Sequence, residues 1–280
     1  MRTIVILGAG ELGGALARQL AAADIAQHIV LVDEAGTVAE GKALDIRQAA
    51  PVDGYSTRVS GTSDEAVVVG AHAIVIADRF TSGAEWHDDA GVGLVRRVTH
   101  LNNSALVLCA GARQIDVVER GVREGGINRR RLLGSAPEAL RSAVLSLTTL
   151  EARCTPQEIS LTVVGRPPSQ ILVPWEEASI GGLRATDVLS PPAITRLDGR
   201  LARLWPPGPL TLASAAARIL HAAATRSAHR FSAFVVAAQE ETREHAGILP
   251  VTMNAGGVAS VLRPTLNVRD RVRLDTALQR

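Results

Sequence analysis

The sequence predicts an α/β protein, with a doubly wound parallel sheet over residues 1–145 and an α+β region over residues 146–280. Three observations carry this. The apolar run Ile4–Leu7 runs directly into Gly8-Ala9-Gly10-Glu11-Leu12-Gly13, and Asp33 closes the next apolar run twenty positions past Gly13. Up to about residue 145, short apolar runs alternate with helical patterns, as strands buried on both faces of a parallel sheet require. Beyond that point the pattern changes to alternating runs arranged as hairpins, with one long Ala-rich helix among them.

In chain order, Ile4–Leu7 is the first strand, Leu12–Ala23 an Ala-rich helix and Ile29–Val32 the second strand. Val38–Ala50 reads as a helix stopped by Pro51, because proline lacks the N–H that the next turn needs. Ala73–Ala77 and Leu106–Cys109 have the length and apolar character of interior strands. Ile115–Arg123 is a crossover helix closed by Gly125-Gly126, and Leu132-Leu133 is a last short strand. In the second half, Glu158–Val164 and Gln170–Val173 flank a Pro167-Pro168 turn, and Leu189–Pro209 reads as a loosely structured connection. Thr211–Thr225 is a helix, Phe231–Ala238, Ile248–Met253 and Val258–Leu262 form an antiparallel meander, and Val268–Gln279 is a terminal helix.

The glycine-rich turn carries the first chemical expectation, a bound dinucleotide. Gly8 permits the tight strand-to-helix turn, Gly10 lets the backbone approach a pyrophosphate, and Gly13 lets the helix lie against the strand. The amides around Glu11 and Leu12 then face the phosphates at a helix N-terminus. Asp33 stands where a carboxylate accepts the ribose hydroxyls and repels a 2′-phosphate, so NAD is expected over NADP. Gly8, Gly10, Glu11, Leu12, Gly13 and Asp33 are therefore the candidate cofactor residues.

Composition restricts the alternatives. Aromatic residues are only 2% of the chain, so the core must be built from Ala, Val, Leu and Ile. No apolar stretch reaches the roughly 18 residues of a membrane span, and the N-terminus enters a strand rather than a signal peptide. Cys109 and Cys154 form no CxxC pair and read as buried free thiols of a cytoplasmic protein. Net charge is +2, and Lys42 is the sole lysine among 30 basic residues. No basic patch suggests nucleic acid. Arg129-Arg130-Arg131 reads as a solvated turn, and no metal site is expected.

Several further stretches resemble the lactate/malate dehydrogenase family, its malate branch especially. Gly41-Lys42-Ala43-Leu44-Asp45-Ile46, followed by Gln48 and Pro51, is similar to that family's signature helix. Ser60-Gly61-Thr62-Ser63, Ile115-Asp116-Val117, Leu133-Gly134-Ser135 with Ser142-Ala143, Val173-Pro174-Trp175 and Ala216-Ala217-Arg218-Ile219 follow in the family's order. The resemblance implies an NAD-binding Rossmann domain, a substrate-like α+β domain, and a homodimer or homotetramer paired through the Val38–Ala50 helix. It also implies oxidation of a 2-hydroxy acid by a histidine that an aspartate orients, with arginines clamping the substrate carboxylate.

The departures from the family fall on that chemistry. Where the resemblance places the histidine, between Gly165 and Val173-Pro174, the chain reads Arg166-Pro167-Pro168-Ser169, and no histidine occurs from Leu101 to Leu220. The orienting aspartate falls near Arg141, the clamping arginine near Val144, and Arg113 replaces an asparagine. The active-site loop, Ala77–Asp88, carries Trp86 about where an arginine belongs, and Asp78 where a small residue approaches the cofactor. These substitutions imply a family member that has lost ordinary 2-hydroxy acid dehydrogenase activity. The alternative is an active NAD-dependent oxidoreductase on a small anionic hydroxy or keto acid, with its acid–base group relocated. His87, Arg79 and Arg113 are the catalytic candidates under that alternative, and Arg113, Arg141 and Arg166 are expected to make a cationic pocket for an anionic ligand.

Overall fold

Strand β1 (Thr3–Leu7) buries four of its five residues, and the other interior strands of the sheet are buried at least as fully, because helices cover both faces. The computed structural model describes residues 1–225, 229–237 and 245–279. After β1 come α1 (Glu11–Ala22), β2 (His28–Val32), α2 (Gly36–Asp53), β3 (Arg58–Thr62), β4 (Ala73–Ile76), α3 (Asp88–Leu101), β5 (Leu106–Cys109), α4 (Ile115–Arg123), β6 (Leu132–Gly134) and α5 (Ala136–Ala152). The six strands are parallel and lie in the order β3-β2-β1-β4-β5-β6. The order reverses between β1 and β4, and this switch point is where such sheets bind their ligands.

The second half contributes β7 (Ile159–Ser160), β8 (Val164–Arg166), β9 (Gln170–Leu172), β10 (Ser179–Ile180), β11 (Leu183–Arg184), α6 (Ala185–Val188), α7 (Pro191–Asp198) and α8 (Pro209–Thr225). Then follow β12 (Arg230–Val236), β13 (Ala246–Asn254), β14 (Gly257–Val261) and α9 (Val268–Leu278). Strand β12 docks antiparallel on β6 through Phe234 opposite Gly134, so one sheet continues through β12, β13, β8 and β9. A Cβ at Gly134 would meet the Phe234 ring, and the missing side chain is what allows the docking. Position 145, the expected division between the halves, lies within α5.

Local reasons for these elements are legible in the residues. Helix α1 buries Leu12, Leu16 and Leu20 on one face, at the spacing that a helix requires. Helix α2 runs past Pro51 to Asp53 and ends at Gly54, whose φ of 77° closes the last turn onto Ala50 O. Pro51 forgoes one backbone bond to the preceding turn without ending the helix, so the expected stop comes three residues late. Leu189–Pro209 is not loosely structured: Pro191 opens α7 at a helical first-turn position, and a 3-10 turn follows at Leu201–Leu204. Glu158–Val164 is broken into β7 and the start of β8, and β12 is described to Val236, with Ala238 outside the described residues. Arg129 and Arg130 are exposed in the expected turn, whereas Arg131 is half-buried and its guanidinium caps Ala105 O (Nε 3.0 Å). Cys109 is buried and burial pushes its thiol pKa up, whereas Cys154 is only half-buried. No helix among the described residues is long and apolar enough to cross a membrane.

Candidate functional site

The site begins at the β1–α1 turn. Gly8 sits at φ 115°, its N–H bonded to Val32 O at 2.7 Å, and a side chain there would strike the backbone of Asp78. Gly13 brings α1 down onto the turn so closely that a Cβ would overlap Gly8 O. A Gly13→Ala change therefore requires backbone movement. We expect it to lower stability by about 1–3 kcal/mol, read from the urea midpoint at unchanged m-value.

The amides at the α1 N-terminus are already engaged. Leu12 N donates to Asp78 Oδ2 at 3.0 Å, Gly13 N to Asp78 Oδ1 at 2.9 Å, and Gly10 N to Asp78 O at 3.0 Å. Asp78 is 6% exposed, and a Cβ on Gly10 would run into its carboxylate. Asp33 is equally committed: Oδ2 accepts from Ala9 N (2.8 Å) and Phe80 N (3.0 Å), and Oδ1 accepts from Ala35 N (3.0 Å). The carboxylate expected to receive ribose hydroxyls is thus turned onto the backbone.

Residues 78–86 form a tight loop over the turn, with Asp78 and Glu85 bridged antiparallel and Arg79 N bonded to Ala84 O at 3.0 Å. Glu85 holds its far end by accepting from Ala112 N (2.9 Å) and Arg113 N (2.7 Å). Gln114 adds a clasp, taking Gly111 N at 2.8 Å and donating to Trp86 O at 3.0 Å. The Arg79 guanidinium lies 4.6 Å from the Trp86 ring centroid, and the two share a narrow gap of about 40 Å³ with Gly8, Val32 and Asp33. Beside the loop opens a cleft of about 560 Å³, lined among others by Glu11, Lys42, Phe80, Arg113, Pro207 and Leu212. Lys42 Nζ caps Gly10 O at 2.7 Å.

Of the catalytic candidates, Arg113 borders this cleft with an exposed side chain, whereas Arg79 stacks on Trp86 and its buried Nε has no hydrogen-bond partner among the described residues. His87 pairs with Asp88 (Nδ1 to Oδ2 2.6 Å), just before α3. The neighbouring Asp116, which accepts from Asp88 N, is held above the usual carboxylate range by burial and then by the Asp88 charge. The expected cationic pocket is not formed, because Arg141 and Arg166 are each consumed by a different acid. Arg141 is buried against Glu138 (2.7 Å) and donates to Leu161 O. Arg166, at the β8–β9 hairpin, reaches Glu119 (3.0 Å) and Ala246 O (2.8 Å).

Glu119 also accepts from His245 Nδ1 (2.9 Å), Ala246 N (3.0 Å) and Arg123 (3.2 Å). Burial alone would raise its carboxyl, but the Ala246 amide, His245 and Arg166 together hold it below the ordinary range. Glu85, Glu119, Glu138 and His245 escape sequence reasoning. Three are acids on predicted loops or helices with no motif around them, and their partners lie 27 to 127 positions away apart from Arg123 and Arg141.

Residues 2–84 match the family model described as lactate/malate dehydrogenase, NAD binding domain. The malate dehydrogenase of Thioalkalivibrio sulfidiphilus is 30% identical over 210 residues, covering 71% of this chain and 68% of that protein. The chain belongs to the lactate/malate dehydrogenase family. Malate dehydrogenase of Thermomicrobium roseum is 25% identical with 98% of this chain and 94% of the relative aligned. Among solved structures, the fold matches malate dehydrogenase from Salinibacter ruber (TM-score 0.87, 19% identity, 98% of this chain and 93% of that one). It also matches lactate dehydrogenase from Cryptosporidium parvum complexed with lactic acid and nicotinamide adenine dinucleotide (TM-score 0.87, 17% identity, 99% and 94%).

The chain thus carries this dehydrogenase family's NAD-binding domain, with its glycine turn and its acid after β2 in place. The phosphate seat of that turn does not fit a pyrophosphate as it stands: the Leu12 and Gly13 amides cannot serve a dinucleotide and Asp78 together.

Proposed function

We propose that this lactate/malate dehydrogenase-family protein keeps the dinucleotide-binding scaffold without ordinary 2-hydroxy acid dehydrogenase activity. The observation that carries the reading is the β8–β9 hairpin. At the place the resemblance assigns to the acid–base histidine stands Pro167, which can neither take nor give a proton, and Arg166 beside it is tied to Glu119. The surroundings support it. Arg141 is neutralised by Glu138, Val144 is buried and apolar, and Trp86 has no charge to offer a carboxylate. The test is turnover of malate, lactate, oxaloacetate and pyruvate with NAD(H), where no activity above trace is expected.

One observation favours a second reading, an oxidoreductase with a relocated acid–base group. His87 is already oriented by a carboxylate, as a general base needs to be. Its ring stands at the end of the loop that contacts the glycine turn. Turnover that disappears in His87→Ala would select this reading over the first.

A homo-oligomer paired through α2 is part of the proposal. The exposed Leu44 and Val52 and the open space beside Gly41 support a close helix approach there. Light scattering at micromolar concentration is expected to give at least the dimer mass, and a monomer contradicts it.

A further inference from the structure

We propose that segment 78–86 is an internal occupant of the dinucleotide groove, with the Asp78 carboxylate standing in for the pyrophosphate, so that NAD binds only when this segment leaves. The inference rests on the reading of residues 2–84 as an NAD-binding domain and adds a competitor carried by the chain itself.

The substitution is chemical as well as spatial. A helix N-terminus offers amide donors and a positive dipole end to an anion. Here both oxygens of one carboxylate take two successive amides, Leu12 N and Gly13 N, at 3.0 and 2.9 Å. The space that Gly10 opens for a phosphate is the space into which the Asp78 side chain projects. The ribose end is filled from the same segment, since Phe80 N takes one oxygen of Asp33. Arg79 and Trp86 leave about 40 Å³ beside Val32 and Asp33. That gap has room for a water molecule or two and none for a nucleoside.

The segment is also held from outside the groove. Glu85 takes two amides at Ala112 and Arg113, and Gln114 fastens the Trp86 carbonyl. Anchoring at both ends makes the Asp78 carboxylate an intramolecular ligand, present at an effective concentration of order mM or more whatever the solution contains. For a ligand that binds only the open form, apparent affinity falls by the open fraction, so a segment open about 1% of the time weakens binding about a hundredfold.

The experiment is calorimetric titration of NADH into the full chain, unmodified and as Asp78→Ala, combined with hydrogen exchange at the Leu12 and Gly13 amides. Asp78→Ala is expected to bind NADH at least tenfold more tightly and to exchange those two amides at least tenfold faster when no ligand is present. Asp78→Asn, which keeps the shape and loses the charge, is expected to fall between the two and carries the test if the alanine variant does not fold. Equal dissociation constants for the unmodified chain and the variant overturn the proposal, as does unchanged exchange at Leu12 and Gly13. Faster exchange with no NADH binding by any form supports Asp78 as the occupant, and places the failure in the NAD-binding reading instead.

Discussion

With malate or lactate and NAD, or oxaloacetate or pyruvate and NADH, turnover is expected to lie at least four orders of magnitude below the roughly 10 per second typical of enzymes. The magnitude follows from what is absent. Loss of a positioned acid–base group costs about 10²–10⁴-fold, and the substrate clamp and the orienting carboxylate are missing with it. Pro167→His alone is expected to leave turnover within about tenfold of the unmodified chain. The new imidazole would have Arg166, already paired with Glu119, beside it, while Arg141 and Val144 stand where the resemblance puts the orienting carboxylate and the carboxylate clamp. Groups that act as a unit do not recover activity one at a time. The assay must be run with Asp78→Ala as well, so that blocked cofactor entry is separated from missing chemistry. Turnover near 10 per second in either background would place the site elsewhere, and His87 would be the first residue to replace.

The framework was legible because it is written in local periodicity. The runs Ile4–Leu7, Ile29–Val32 and Leu106–Cys109 are buried on both faces, and such strands look the same in sequence as in structure. The glycine turn was legible for a related reason: its signature, Gly8 to Gly13, lies within six positions, although the bonds that hold it reach Val32 and Asp78. Strand β3, Arg58–Thr62, escaped because it reads Arg-Val-Ser-Gly-Thr, an edge strand with one buried residue. Its place is fixed by Gly61, where a Cβ would overlap the α2 backbone at Ala39, and close approach of that kind leaves no hydrophobic pattern.

The site was legible in part. That Asp78 conflicts with a pyrophosphate follows from a charge at the wrong place. That it satisfies the vacated donors does not, because the donors and acceptor are 65 and 66 positions apart. The cationic pocket fails for another reason: Arg113 lines the cleft, whereas Arg141 and Arg166 are each paired with an acid, Glu138 three positions away on α5 and Glu119 47 positions away. A sequence shows the charges of Arg141 and Arg166 but not Glu138 and Glu119 folded against them, and a charge that is buried is almost always paired.

Arg141→Met is expected to destabilise the fold by about 3–5 kcal/mol at pH 7, the usual consequence of leaving one member of a buried pair charged and alone. Glu138 and Arg141 are 3% and 7% exposed and lie 2.7 Å apart. The pair also ties α5 to the second half of the chain: Arg141 Nε donates to Leu161 O at 2.7 Å, and Glu138 Oε2 accepts from Ser232 N at 3.0 Å. Burial pushes the Glu138 carboxyl up, and Arg141 is the first of the groups that oppose it. Without Arg141 the carboxyl is pushed further up by burial, so the folded variant takes up its proton at a higher pH than the unfolded chain does. Its deficit should therefore be full above the raised folded value and shrink as pH falls toward the ordinary glutamate range. Glu138→Gln combined with Arg141→Met removes both charges and keeps an acceptor for Ser232 N. That double variant should recover stability to within about 1–2 kcal/mol of the unmodified chain, as uncharged replacements of buried pairs do. Urea unfolding of the three proteins at pH 7 and pH 5 measures this. A loss below about 1 kcal/mol for Arg141→Met at pH 7, or a deficit that does not change with pH, would mean that water reaches Glu138 and that α5 is held to β12 by apolar packing alone.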